Sequence, residues 1–147
     1  MIRDCEIRDI PALVAMSKTF WQHTAYKDEE FKDDAVEAML AATIKDELCL
    51  VYDVDGKAEG FICGVKGPLM ANFDVCVGTE LAWWVNEEHR NSKGGLNLLK
   101  AIEKRAKEVG VKYWNMCYME SSMPASIKRI YKSMGYKESE SLYMRVL

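Results

Sequence analysis

The sequence predicts an α/β (α+β) sandwich, with a mixed, mostly antiparallel central sheet and helices on both faces. Three observations predict it. Apolar residues recur at helical spacing in four segments, and shorter apolar runs separate them. Asp55-Gly56 stands between two of those runs as a hairpin turn signal. Thr79-Glu80-Leu81-Ala82-Trp83-Trp84-Val85-Asn86 is nearly continuous in apolar and aromatic residues, the pattern of a central strand buried on both faces.

Ile2 to Ile7 reads as a short first strand. Asp9 then offers an N-cap, and Pro11 falls in the first turn of a helix, where its missing N–H is harmless. Leu13, Met16 and Phe20 line one face of that helix, with Val14 and Trp21 on its flank. A second helix is expected from Glu29 to Lys45, burying Val36, Met39, Leu40, Thr43 and Ile44; its acidic first turn suits the positive end of the helix dipole. Cys49 to Tyr52 and Ala58 to Val65 form the two arms of the hairpin, closed by Gly67-Pro68. After the central strand comes the longest helix, Gly94 to Val109, with Leu96, Leu99, Ile102, Ala106 and Val109 on one side and Gly110 ending it. Val111 to Cys117 is a strand, parallel to Thr79–Asn86 through a right-handed crossover. Pro124 to Met134 is a short helix ended by Gly135, and extended pieces follow at Tyr136–Glu138 and Leu142–Val146.

No repeat, linker or low-complexity stretch breaks the 147 residues, so residues 1–147 are expected to form a single domain. A net charge of −3, without a basic patch, argues against nucleic acid as a partner. No run approaches the roughly 18 apolar residues that span a bilayer, so no membrane is expected. The N-terminus lacks the layout of a signal peptide. The five cysteines are widely spaced and form no C-x-x-C, and His23 and His89 stand apart from them. They read as small buried hydrophobes in a reducing cytoplasm, with no metal site.

The segment most informative about function is Arg90-Asn91-Ser92-Lys93-Gly94-Gly95, between the buried strand and the longest helix. A strand, a tight turn and a helix N-terminus aim free backbone N–H groups at one point, which the helix dipole makes favourable for an anion. Gly94 and Gly95 admit close approach of a phosphate, while Arg90 and Lys93 add positive charge. Neither a Walker A loop nor a dinucleotide fingerprint is present. A turn whose glycines serve packing alone is the other reading.

Trp84-Val85-Asn86-Glu87-Glu88-His89-Arg90-Asn91-Ser92-Lys93-Gly94-Gly95-Leu96 resembles the acyl-CoA loop of the GNAT superfamily of N-acetyltransferases, a strand followed by an R/Q-x-x-G-x-G/A turn and a helix. Downstream, Ile130-Tyr131-Lys132-Ser133-Met134-Gly135-Tyr136 is similar to that family's L-Y-E-K-x-G-F segment. The resemblance covers the whole chain, and its brevity and double tryptophan are similar to acetyltransferase-like proteins of bacteriophages. Lys93 stands where the family has its first glycine, and Pro124 where it often has asparagine.

The resemblance implies transfer of acetyl from acetyl-CoA, as cosubstrate, to an amine acceptor, and it is compatible with a homodimer. It places the pyrophosphate at Arg90–Gly95 and the thioester beside Trp84 and Val85, on a strand that splays from its parallel neighbour. The Val85 N–H would polarise the thioester carbonyl. Tyr131 would be the acid for the leaving thiolate, or else a core aromatic. Glu80 is the one carboxylate inside the buried strand; it would take the amine proton, or else pair with a Lys or Arg. Trp83 and Trp84 would wall an acceptor pocket or pack in the core. His89 reads as a solvated loop residue. Lys128, Arg129 and Lys132 either face the CoA phosphates or form a solvated helix face. The family builds its acceptor pocket from segments that correspond to Phe20–Phe31 and to a loop at Gly67–Gly78. A non-catalytic acyl-CoA-binding or protein-interaction module is the alternative.

Overall fold

A five-stranded sheet in the order β1-β2-β3-β4-β5 forms the frame of the protein, seen in a computed structural model that describes residues 1–147. The chain divides into two compact units, Met1–Cys117 and Tyr118–Leu147, and all five strands belong to the first. In chain order that unit holds β1 (Ile2–Asp4), α1 (Ile10–Trp21), α2 (Asp33–Lys45), β2 (Cys49–Val54), β3 (Lys57–Leu69), β4 (Asn72–Val85), α3 (Gly94–Glu108) and β5 (Val111–Asn115). The first four strands are antiparallel neighbours, and β5 runs parallel to β4. No helix is long and apolar enough to cross a membrane.

Local chemistry explains most boundaries. Asp55 and Gly56 take φ of 52° and 83°, the left-handed pair that a two-residue hairpin turn requires. Asp9 does not cap α1 as expected. Its carboxylate instead receives the Arg3 guanidinium at 2.7 and 2.9 Å and the Glu6 N–H at 2.8 Å. Arg3 also donates to Asp53 at 2.8 Å, so one cation joins the first strand, the entry to α1 and the β2–β3 turn. Hydrogen bonding to Arg3 holds the carboxyls of Asp9 and Asp53 below the usual carboxylate range. The second helix begins at Asp33 rather than Glu29, because the Trp21 indole N–H binds the Glu29 carbonyl at 3.1 Å and its ring packs on Tyr26 and Phe31.

The β3–β4 hairpin is longer than the sequence suggested. Gly67-Pro68 does not close β3, and the segment expected as a loop at Gly67–Gly78 is mostly strand, turning between Leu69 and Asn72. Pro68 is tolerated because β2 pairs β3 only as far as Cys63, which leaves the distal part of β3 with one neighbour.

Alternation along the strands sorts the core into two layers. Cys49, Val51, Phe61, Cys63 and Ala82 pack with Leu13, Val14, Met16 and Leu40 of α1 and α2. On the opposite face lies α3, which buries Leu98, Leu99, Ile102 and Ala106. Cys5, Cys49 and Cys63 are the buried hydrophobes expected, whereas Cys76 is half-buried and Cys117 exposed. The Trp114 indole lies flat against two glycines, since an added Cβ would come within 2.6 Å of the ring at Gly78 and 2.4 Å at Gly64.

In the second unit, α4 (Ala125–Ser133) follows a turn in which the Tyr118 hydroxyl donates to the Met123 carbonyl at 3.0 Å. Gly135 ends the helix at a φ of 89°. The strands expected at Tyr136–Glu138 and Leu142–Val146 do not form: a strand needs a ladder, and residues 136–147 pair with none.

The Trp114 slot makes a discriminating prediction. Gly78→Ala and Gly64→Ala should each cost about 1–3 kcal/mol in urea unfolding. In a double-mutant cycle with Trp114→Ala the Gly78→Ala cost should vanish, because its closest obstacles are side-chain atoms. The Gly64→Ala cost should persist, because the Thr79 backbone oxygen, 2.6 Å from the added Cβ, remains.

Candidate active site

The central strand parts from its parallel neighbour halfway along. Pairing of β4 with β5 ends at Thr79↔Asn115, while β4 runs on to Val85. Glu80, the first residue past the parting, is buried at 6% exposure. Its Oε2 accepts the Cys117 N–H at 3.1 Å, and the Cys117 thiol reaches back to the Glu80 carbonyl at 3.6 Å. No Lys or Arg pairs with Glu80, which removes the ion-pair alternative considered for it. Burial pushes its carboxyl up to about 7, partly countered by the hydrogen bonds from Cys117. Although Cys117 as a residue is exposed, desolvation around its sulfur and the nearby Glu80 push the thiol up to about 11, so it is no thiolate nucleophile at neutral pH. Sequence reasoning did not single out Cys117, since a cysteine near a strand end gives no sign of the amide it presents.

Beyond the parting, the backbone of β4 turns its polar groups to the open side. Cys63 pairs with Ala82 and Gly64 with Glu80, which leaves Leu81 as the extra residue of a bulge and reverses the alternation there. The Asn86 N–H donates to the Glu59 carbonyl at 2.9 Å, in register with Gly60↔Val85. Alternate residues of an antiparallel ladder face away from the partner. The Val85 and Trp83 amides therefore face the side that β5 has left.

The Arg90–Gly95 loop is seated against this strand end. Arg90 donates through Nε to the Val85 carbonyl at 3.0 Å, and its guanidinium lies 4.4 Å from the Trp84 ring. Ser92 donates to the His89 carbonyl at 2.6 Å and accepts the Gly94 N–H at 3.1 Å. Asn91 and Lys93 are exposed, and Lys93 forms no ion pair. The first intrahelical bond of α3 runs from Asn97 N–H to the Lys93 carbonyl, so the Gly95 and Leu96 N–H groups remain as donors at the positive end of the helix.

The two glycines differ in role. An added Cβ on Gly94 would come within 2.6 Å of the Tyr52 ring, so this glycine serves helix–strand packing. At Gly95 the nearest atom, Val85 Cγ2, would be 3.6 Å away, an ordinary contact that also shows how close the α3 N-terminus lies to the end of β4.

Trp84 packs on Phe20 edge-on at 6.1 Å and on His23 at 5.6 Å, while the Trp83 ring lies on the α3 side, near Gly95. His89 is less solvated than expected: it is half-buried, 3.9 Å from Glu59 Oε2 and edge-on to Tyr52. Glu59 also accepts the Asn86 side-chain amide at 2.8 Å. A cleft of about 540 Å³ opens between α1 and the β2–β3 turn and reaches Asn86. No group of three His, Cys, Asp or Glu side chains is placed to hold a metal ion.

In the second unit, Tyr131 is the buried residue of α4, its ring centroid 5.4 Å from that of Tyr136. Lys128 pairs with Glu120 at 2.5 Å and lies over the Tyr118 ring. Pro124 sits at the N-cap of α4, where it gives no side-chain hydrogen bond.

Residues 11–136 match the model of the acetyltransferase (GNAT) family. No curated protein matches the chain in sequence. Among solved structures it is similar to a ribosomal-protein-alanine N-acetyltransferase from Brucella melitensis biovar Abortus 2308, with a TM-score of 0.74 at 17% identity over 100% of this chain and 99% of that one. It is also similar to a Trypanosoma brucei acetyltransferase, TM-score 0.74 at 13% identity over 100% and 99% of the two chains. An aminoglycoside N-acetyltransferase in complex with CoA gives 0.74 at 16% identity over 100% and 93%.

Burial of Glu80 predicts a pH-dependent stability. Its folded-state carboxyl sits near 7 against an ordinary 4.5, so the folded protein binds the extra proton and loses stability as the pH rises between those values. Glu80→Gln is neutral throughout. Its stability relative to the parent should climb from about pH 4.5 to pH 7 by up to about 3 kcal/mol, then level off, as read by urea unfolding across pH. A flat difference would show that the carboxylate is already ionised in the fold.

Proposed function

The chain belongs to the acetyltransferase (GNAT) family, and on that premise we propose that it transfers an acetyl group from acetyl-CoA to a primary amine, residues 1–147 acting as one cytoplasmic acyltransferase domain. One observation carries this reading: β4 loses its parallel neighbour after Thr79, and the N-terminus of α3 closes on the far end of the strand so opened, at Val85. An open strand edge offers amides to an extended acyl-pantetheine arm, and a helix N-terminus offers donors to a pyrophosphate.

In this proposal the N–H groups of Gly95 and Leu96 receive the pyrophosphate, and Lys93 contributes charge from the exposed side. Ser92 yields the Gly94 N–H when the anion arrives, since one hydroxyl is a weaker partner than a phosphate. Arg90 keeps the loop in place through Val85 and Trp84 and still has guanidinium N–H groups to offer, while Asn91 lies at the rim. The Val85 N–H bonds the thioester oxygen as it becomes an oxyanion.

The acceptor nitrogen attacks the carbonyl carbon and forms the C–N bond. Glu80 takes its proton, directly or through a water, with a carboxyl placed near neutrality by burial. Collapse of the tetrahedral centre breaks the C–S bond, and Tyr131 gives its phenolic proton to the departing thiolate. The acceptor is a small-molecule or protein amine.

Two experiments test the reading. Acetyl-CoA should raise the melting temperature by preferential binding to the folded state. Lys93→Glu places a carboxylate at the α3 N-terminus, which the dipole tolerates, so the unliganded melting temperature should hold or rise slightly while the acetyl-CoA shift is largely lost. An undiminished shift would move the pyrophosphate elsewhere.

Turnover is read as free thiol released across a panel of amines. Tyr131→Phe keeps the ring and removes only the proton donor, so the rate should fall by roughly 10²–10⁴ with acetyl-CoA binding unchanged. Equal rates in the two proteins would remove Tyr131 from the mechanism. Binding of acetyl-CoA without thiol release for any amine would mark a non-catalytic acyl-CoA-binding module instead.

A further inference from the structure

The chain leaves β4 at Asn86, the N-cap of a single 3-10 turn at Glu87–His89 that leads into the Arg90–Gly95 loop. An asparagine in that place ordinarily turns its side-chain oxygen onto the first free amides of the turn. Asn86 makes no such cap, and both ends of its amide are spent on strand residues. Its Oδ1 accepts the Trp84 indole N–H at 3.3 Å, and its Nδ2 donates to Glu59 Oε2 at 2.8 Å. The main chain repeats the link, since the Asn86 N–H donates to the Glu59 carbonyl at 2.9 Å. Glu59 is itself a local exception. Tyr52 pairs with Gly60 and Asp53 with Ala58, so Glu59 is the extra residue of a bulge in β3. A bulge re-aims a side chain, and here a half-buried carboxylate, on a strand paired on both sides, meets the first residue of the loop.

From there the restraint runs into the loop. The Asn86 carbonyl accepts the His89 N–H at 2.9 Å, and the His89 carbonyl accepts the Ser92 N–H at 3.0 Å and its hydroxyl at 2.6 Å. Ser92 Oγ in turn holds the Gly94 N–H at 3.1 Å. Glu59 thus stands at the root of a run of hydrogen bonds that ends at the N-terminus of α3. The His89 imidazole, 3.9 Å from the same Oε2, adds a partly exposed ion pair, which is worth less than the charge-assisted bond to Asn86. We infer that Glu59 is a positioning residue for acyl-CoA: its bond to Asn86 fixes the entry of the Arg90–Gly95 loop, and so the amides that receive the pyrophosphate. This role rests on the acyltransferase reading and adds to it a residue that acts through the loop.

Calorimetric titration with acetyl-CoA and steady-state rates, on variants whose folding is checked by circular dichroism, test this role. Glu59→Ala frees the loop entry, so binding has to order it. Acetyl-CoA affinity should fall about tenfold and KM rise with it, while kcat at saturation changes less than about twofold. Asn86→Asp keeps the acceptor that Trp84 uses but sets a carboxylate against Glu59, and should weaken binding as much. Glu59→Gln supplies a donor to that new carboxylate, so the double variant should regain most of the parental affinity. A merely structural role would lower the melting temperature of Glu59→Ala and leave the affinity of the folded protein as it was. Parental affinity in Glu59→Ala and Asn86→Asp would overturn the inference and leave the acyltransferase reading standing. A fall in kcat at unchanged KM, or a loss that the double exchange fails to restore, would do the same. A parent chain that binds no acetyl-CoA would overturn that reading, and this inference with it.

Discussion

A backbone that leaves its hydrogen-bonding neighbour must find other partners, and the centre of this protein is organised by that requirement. β4 is paired on both sides from Cys76 to Thr79 and on one side from there to Val85. The carboxylate of Glu80 receives the Cys117 amide at the point of divergence, as if continuing the ladder with a side chain. Further along, the Arg90 side chain takes the Val85 carbonyl. Each substitute is a local answer to a lost ladder bond, and the loop and strand end are positioned by these answers.

The same divergence explains why a carboxyl is tolerated in the core. A buried charge without a partner is costly, and Glu80 has no cation beside it. Its burden is relieved in two ways, by hydrogen bonds from Cys117 and by retaining a proton up to near neutrality. A group that rests at the midpoint of its titration near physiological pH can both take up and return a proton, and the surroundings impose that state without a neighbouring ion.

Features with strictly local causes were legible in the sequence. Asp55-Gly56, Gly110 and Gly135 each adopt the left-handed backbone that their residue type suggested. The extent of α3 and the parallel relation of β4 to β5 also followed from spacing and handedness. Features set by tertiary contact were not. The turn between Leu69 and Asn72 has no glycine or Asn-Gly pair, and the preceding Gly67-Pro68 reads as a break when it lies within a ladder. Glu29–Lys32 has helical composition, but the Trp21 indole claims a carbonyl there. Gly94 looked like room for a phosphate, whereas the Tyr52 ring needs the space. At the site itself, the loop, the strand and Glu80 were marked by sequence. The direction of the Val85 amide depends on a single extra residue at Leu81, and a bulge has no reliable sequence signature.

The Ser92 hydroxyl already bonds one of the amides at the α3 N-terminus, and it is itself anchored to the His89 carbonyl. These two bonds hold the turn in one shape from within the loop. In the proposed function, conformational entropy is spent at folding rather than at binding, and a pyrophosphate would exchange one short contact without ordering a mobile segment. On that reading, capture by such a loop is governed by diffusion and the local field, so its rate should fall in proportion to solvent viscosity with no further slowing from loop closure.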